Sequence, residues 1–132
     1  MDPGKSRIRT LMADDSRTAL LSVCRYLDFE GIFDIVSTAT DGLQLLNKAE
    51  RYRPDLVLVD LSMPMITGLE AVIELRKTFP RMRIIIFTEL SGIPLRDQCL
   101  RCGADAFVEK NQMPEKLMEE VRKLFPDNPP QK

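Results

Sequence analysis

Histidine and tryptophan are both missing from this 132-residue chain, and aromatic residues make up only 6% of it. Without His there is no Ser-His or Cys-His nucleophile pair, no imidazole acid-base catalysis and no phosphohistidine carrier. Any chemistry falls to carboxylates, hydroxyls, Lys or a metal. An excess of charge is missing too: 19 Lys+Arg face 20 Asp+Glu, for a formal net charge of -1. That excludes the basic footprint of a domain that binds nucleic acid or anionic lipid directly. Long apolar runs are also lacking. The longest, such as 56–59 and 84–87, fall far short of the roughly 20 residues that span a bilayer. The first six residues, Met1-Asp2-Pro3-Gly4-Lys5-Ser6, have no apolar core of a secretory signal, and the expected location is cytoplasmic. Three cysteines, Cys24, Cys99 and Cys102, cannot all pair internally and fit free thiols in a reducing compartment. Cys99 and Cys102 have the spacing of half a zinc site, but no second pair and no His completes it.

The 44% of hydrophobic residues are enough for one domain, which at this length removes roughly 65–70% of the unfolded surface from water. Strand and helix signals alternate along it. The apolar segment 8–13 predicts a strand. A helical stripe of Ala19, Leu20, Val23 and Leu27 follows and closes at Gly31. Residues 33–36 predict a weaker strand, and Leu43, Leu46 and Ala49 the inward face of a helix stopped by Pro54. Residues 56–59, ahead of Asp60, form an unbroken apolar run with β-branched residues, as in a strand buried on both faces of a parallel sheet. A turn-rich loop, 61–68, precedes a helix carrying Leu69, Val72, Ile73 and Leu75. Then come a strand at 83–88, a helix at 95–102 ending at Gly103, a strand at 104–109, and a helix opened by Pro114 with Leu117, Val121 and Leu124 inward. In that fourth helix Leu95, Cys99 and Cys102 recur at helical spacing, which makes the cysteines small core residues.

Five such units predict a doubly wound α/β domain with a five-stranded parallel sheet in the order 2-1-3-4-5. Its ligand crevice lies outside the carboxyl ends of the strands. The residues closing the strands are then Asp14 and Asp15, Asp60, Thr88 and Lys110, all brought to one rim. Two carboxylates about 4 Å apart repel by on the order of 4 kcal/mol at an effective dielectric of 20. A cation must therefore join them. One Lys offsets a single charge, and a hard-oxygen ligand set favours Mg²⁺. Mg²⁺ takes one or two carboxylates plus a phosphate, so three acids beside a Lys and a Thr suit a phosphoryl group.

The Asp14-Asp15 pair, Asp60 within Val-Asp-Leu-Ser-Met-Pro, Thr88 after an apolar strand and Lys110 after Gly103-Ala104-Asp105-Ala106-Phe107 resemble a response-regulator receiver domain of two-component signalling. This is the flavodoxin-like, three-layer fold of chemotaxis regulators. The resemblance implies a receiver over 7–125 and a Pro-rich tail or linker over 126–132. It implies Asp60 as phosphoacceptor, with Asp15, Asp60 and the Ser62 carbonyl on Mg²⁺ and Asp14 acting through a water. Lys110 would neutralise the phosphoryl oxygens. Thr88 and Phe107 would form the switch, with the helix 4, strand 5 and helix 5 face as output. The domain would catalyse its own phosphorylation and dephosphorylation, without being an enzyme in the ordinary sense. The implied partners are a sensor histidine kinase or phosphotransfer protein, with homodimerisation on phosphorylation. Two features depart from many receivers: Phe107 often has Tyr in its place, and Asn111 follows Lys110 where Pro is common.

Other readings stand beside this one. Asp14 and Asp15 fit an N-cap pair, Thr88 an ordinary strand residue and Lys110 a surface charge. A receiver-like interaction module that is never phosphorylated has the same pattern. An aspartate-nucleophile phosphatase of the haloacid dehalogenase type needs an Asp two residues after the nucleophile, where Ser62 stands.

Overall fold

The computed structural model describes residues 7–63 and 66–127. The N-terminal hexapeptide, Pro64 and Met65 of the turn-rich loop, and the tail after Asp127 lie outside the described residues. The elements are β1 (Ile8–Ala13), α1 (Arg17–Glu30), β2 (Phe33–Ala39), α2 (Gly42–Tyr52), β3 (Leu56–Val59), α3 (Gly68–Thr78), β4 (Arg83–Thr88), α4 (Ile93–Arg101), β5 (Ala106–Glu109), a 3-10 turn (Lys110–Gln112) and α5 (Glu115–Leu124). The five strands form one parallel sheet in the order β2-β1-β3-β4-β5, as the alternating pattern predicts.

The period-two geometry of the strands divides the core in two. Val57, Val59, Ile84 and Ile86 face one apolar cluster, under α2, α3 and α4. Leu56, Leu58, Ile85 and Phe87 face another, under α1 and α5. Both faces of β3 and β4 are thus covered, which is why these strands are continuously apolar. Cys99 is wholly buried in the first cluster, and all three cysteines are free. No helix among the described residues is long and apolar enough to cross a membrane.

Helix starts follow local capping chemistry. Ser16 caps α1 by accepting the Ala19 N–H, and Asp41 caps α2 through Gln44. Thr67 and Glu70 form a reciprocal capping box on α3. Gly31, at φ 81°, ends α1 in the left-handed region. The acid pair 14–15 is therefore not the α1 cap, and that reading is corrected: Ser16 has the role.

Two boundaries and one helix face also differ from expectation. β2 runs on to Ala39, because a register shift opposite Thr10/Leu11 skips Val36 and restarts pairing at Ser37; polar residues are tolerated on this edge strand. In α2 the inward residues are Leu45 and Ala49, while Leu43 is 46% exposed. Gly42 sets that face by packing tightly against Ile66. β5 starts at Ala106 because the preceding Asp105 is used otherwise. Its carboxylate accepts the Ile84 N–H (2.8 Å) and the Arg76 guanidinium (2.7 Å). Arg76, in the last turn of α3, also donates to the carbonyls of Gly103 (2.9 Å), Pro80 (2.9 Å) and Met82 (2.7 Å). It ties α3, the start of β4 and the α4–β5 turn together at the amino edge of the sheet.

Candidate phosphoryl-transfer site

Register explains why distant residues meet at the opposite edge. Ala13 lies beside Val59, and Val59 beside Ile86. The Asp60 N–H continues the ladder by donating to the Ala13 carbonyl (2.9 Å), and the Asp14 N–H donates to Ala39 (3.0 Å). The residues one step past β1 and β3 are therefore neighbours. Thr88 pairs with Glu109 on β5, so Lys110 is the next residue out.

The structure gathers Asp14, Asp15, Asp60, Ser62, Thr88 and Lys110 around one cavity of about 400 Å³. Each of the three acids presents a carboxylate oxygen within 4.8 Å of the others. Asp14 and Asp60 are buried at 1% and 5% exposure, whereas Asp15 is exposed to solvent. Lys110 Nζ reaches 2.9 Å from Asp14 Oδ2 and 3.8 Å from Asp60 Oδ2, across 96 residues of sequence in the first case. The same ammonium lies 5.1 Å from the centre of the Phe87 ring, a cation–π contact that steadies it. Backbone N–H groups serve the inner acids: Ser16 donates to Asp14 Oδ1 (3.0 Å) and Ser62 to Asp60 Oδ1 (3.4 Å).

Electrostatics follow from this packing. Burial first, then the negative charge of Asp14, pushes the Asp60 carboxyl up to about 6, against the opposing pull of Lys110 and the Ser62 N–H. Burial works to lower the Lys110 ammonium, but the hydrogen bond it donates to Asp14 and the charges of Asp60, Asp14 and Glu89 outweigh it, and its pKa is raised. Lys110 therefore stays charged at neutral pH. Thr88 is 1% exposed, and its Oγ1 accepts the Leu90 N–H at 3.2 Å. Phe107 is turned inward at 7% exposure, into the cluster beneath α4. It also borders a cavity of about 70 Å³ between α4 and α5.

Gly68 begins α3 so close to the acid loop that a Cβ there would collide with the Asp60 carbonyl oxygen and Leu61 Cα. Four lining residues, Ser16, Ala19, Glu89 and Leu90, are absent from the strand-end reading. Glu89 and Leu90 line the cavity mouth, and an acid directly after Thr88 was the available signal for Glu89.

The donor set suits a hard divalent cation. Its oxygens are all carboxylate or carbonyl, two acids are buried and one opens to solvent, where retained waters can sit. The juxtaposition of nucleophilic carboxylate, ammonium and hydroxyl is one that can receive a phosphoryl group.

Comparison with known proteins gives a consistent result. A family model described as the response regulator receiver domain matches residues 10–122. The oxygen regulatory protein NreC of Staphylococcus aureus (strain JH9) is 30% identical over 119 residues, 89% of this chain and 55% of that protein. The chain thus spans about half the length of the curated relatives it matches. Among solved structures, a CheX–CheY–BeF3–Mg complex from Borrelia burgdorferi superimposes with a TM-score of 0.85 at 25% identity, covering 91% of this chain and 90% of that one. A DNA-binding response regulator of the LuxR family from Staphylococcus aureus gives 0.82 at 27% identity, covering 89% and 98%.

Proposed function

This chain belongs to the response regulator receiver domain family of two-component systems, and from that premise we propose that Asp60 accepts a phosphoryl group from a histidine kinase or phosphotransfer protein. The observation that carries the reading is the position of Lys110 Nζ, within 2.9 Å of Asp14 and 3.8 Å of Asp60 beside the third acid. The receiver unit spans 7–125, with 126–132 as a tail or linker.

In the proposed step an Asp60 Oδ attacks the phosphorus of a phosphohistidine in line. A P–O bond forms, the P–N bond breaks and the imidazole leaves, giving an aspartyl phosphate. Asp60 must be ionised to attack, and a pKa of about 6 leaves it mostly so at neutral pH. Asp15, Asp60 and the Ser62 carbonyl would hold Mg²⁺, with Asp14 acting through a water. When bound, the ion neutralises charge on the transferring phosphoryl oxygens. Lys110 supplies a second positive charge to the same oxygens, leaving its contact with Asp14 as they arrive. The Thr88 hydroxyl, which accepts the Leu90 N–H, turns to hydrogen-bond one of them.

A phosphoryl group shifts a two-state equilibrium only through contacts that differ between the states. Thr88 and Lys110 supply that difference, and the Phe107 ring moves into the space that Thr88 leaves. The α4, β5 and α5 face carries the change to a downstream partner or a second copy.

Incubation with Mg²⁺ and acetyl phosphate should add one phosphoryl group by intact mass, and Asp60→Asn should abolish the addition. A wild-type chain unlabelled both by acetyl phosphate and by a phosphorylated histidine kinase would point to an interaction module that is never phosphorylated. Labelling that survives the substitution would move the acceptor elsewhere.

A further inference from the structure

Another cavity among the described residues lies away from the acid site. It is an open groove of about 490 Å³ at the amino edge of the sheet, where α2, α3 and α5 end. Phe79, Met82 and Phe125 give it an apolar floor, and Arg53, Arg81 and Arg83 stand around it. The sequence concentrates charge here: segments 51–55 and 76–83 hold six Arg or Lys and a single acid, Asp55, in a chain whose net charge is -1.

Part of this charge has a local explanation. Arg51, Arg76 and Lys77 lie in last helical turns, where cations complement the helix dipole. Arg53, the C-cap of α2, shares it in part, since its Nε donates to the Glu50 carbonyl at 3.0 Å; Arg81, before β4, and Arg83, at its start, do not. Arg53 has a left-handed backbone (φ 48°), and its guanidinium sits 5.2 Å from the centre of the Phe79 ring. Its one ion pair, with Glu50 at 3.3 Å, is exposed on both sides and weak for that reason. Arg83 reaches Asp105 at 3.4 Å, and Asp105 is already bonded to Arg76. Arg81 forms no ion pair among the described residues.

We propose that this groove docks an acidic segment of a partner protein, with an aromatic or branched apolar side chain of that segment on the Phe79, Met82 and Phe125 floor and its carboxylates on Arg53, Arg81 and Arg83. A polypeptide fits better than a phosphate or nucleotide. The helices point their carboxyl ends at this edge, which disfavours phosphate and carboxylate alike close to the backbone, so an anion bound here rests on the guanidinium side chains and it is the apolar floor that favours a polypeptide. Guanidinium forks match carboxylates, and an open apolar floor accepts a side-chain anchor. The groove lies at the opposite end of the strands from the phosphoacceptor and shares no lining residue with it.

The test is a titration of the full ¹⁵N-labelled chain with a short synthetic peptide of alternating Asp/Glu around a central Trp-Leu pair, followed by amide shifts. Saturable shifts should concentrate on 53–55, 79–83 and 125, with half-saturation below about 1 mM at low salt and at least about tenfold weaker binding at 0.5 M salt, as exposed charge pairs require. Arg81→Glu, a surface change that leaves the floor intact, should weaken binding about tenfold, and Phe79→Ser should remove the anchor.

A Lys-substituted version of the peptide binding equally well would overturn the proposal. So would shifts confined to the acid site, or an Arg81→Glu chain of unchanged affinity. Groove shifts with inorganic phosphate or AMP alone, at the same concentrations, would reassign the site to a small anion. Shifts that grow with protein concentration before any peptide is added would assign it to a second copy.

Discussion

Two cations, one at each end of the sheet, show how differently the same fold uses positive charge. Arg76 at the amino edge donates to three backbone carbonyls and one carboxylate, so every partner is satisfied and only one is charged. Lys110 at the carboxyl edge faces two buried acids with a third nearby, so negative charge exceeds positive. The first arrangement fastens secondary elements to one another. The second stays under electrostatic tension until another cation arrives, and tension of that kind marks a site for binding rather than for stability.

Three substitutions break or sharpen that contrast. Arg76→Ala should have the largest effect, a loss of roughly 2–4 kcal/mol, because it strips partners from part-buried carbonyls and leaves the Asp105 carboxylate short of a cation. Urea denaturation measures it, and Mg²⁺ should give back none of it. Lys110→Met should cost about 2–3 kcal/mol in the presence of a chelator, since Asp14 and Asp60 are left buried without a counter-charge. Here millimolar Mg²⁺ should restore a good part of the loss; if the ion restores nothing, the acids do not bind it together.

Asp60→Asn should be the smallest change and of opposite sign. The folded-state pKa of about 6 lies above the ordinary 3.8 of an Asp carboxyl, so the native chain holds more protons between those two values. Stability therefore falls as pH rises through that window, and the penalty is in full force at pH 7. Removing the charge should stabilise the metal-free chain by about 1–2 kcal/mol at pH 7, with the gain shrinking towards pH 4. Parallel melts of the two chains at pH 4.5 and pH 7 would show it, and a pH-independent difference would remove the burial argument.

Much of the fold was legible because it rests on period and punctuation. The unbroken apolar run before Asp60 and the glycine at 31 identify their elements without neighbours. The meeting of Asp14, Asp60 and Lys110 was legible because a parallel sheet aligns strand ends. What escaped depended on partners. The exposure of Leu43 is decided by the close packing of Gly42 on Ile66, and the extra length of β2 by an irregular register with β1. Asp105 reads as one more polar residue before a strand until Arg76 is placed beside it. Lys110 reads as a strand-exit cation, and only the folded structure shows that Asp14 holds it more closely than Asp60 does.

Gly68 leaves no slack between the first turn of α3 and the backbone of the phosphoacceptor. A hinge needs free play, and there is none at this joint. If Asp60 shifts when it is modified, α3 must travel with it as a rigid rod, and the movement emerges at the far end of that rod, beside Phe79.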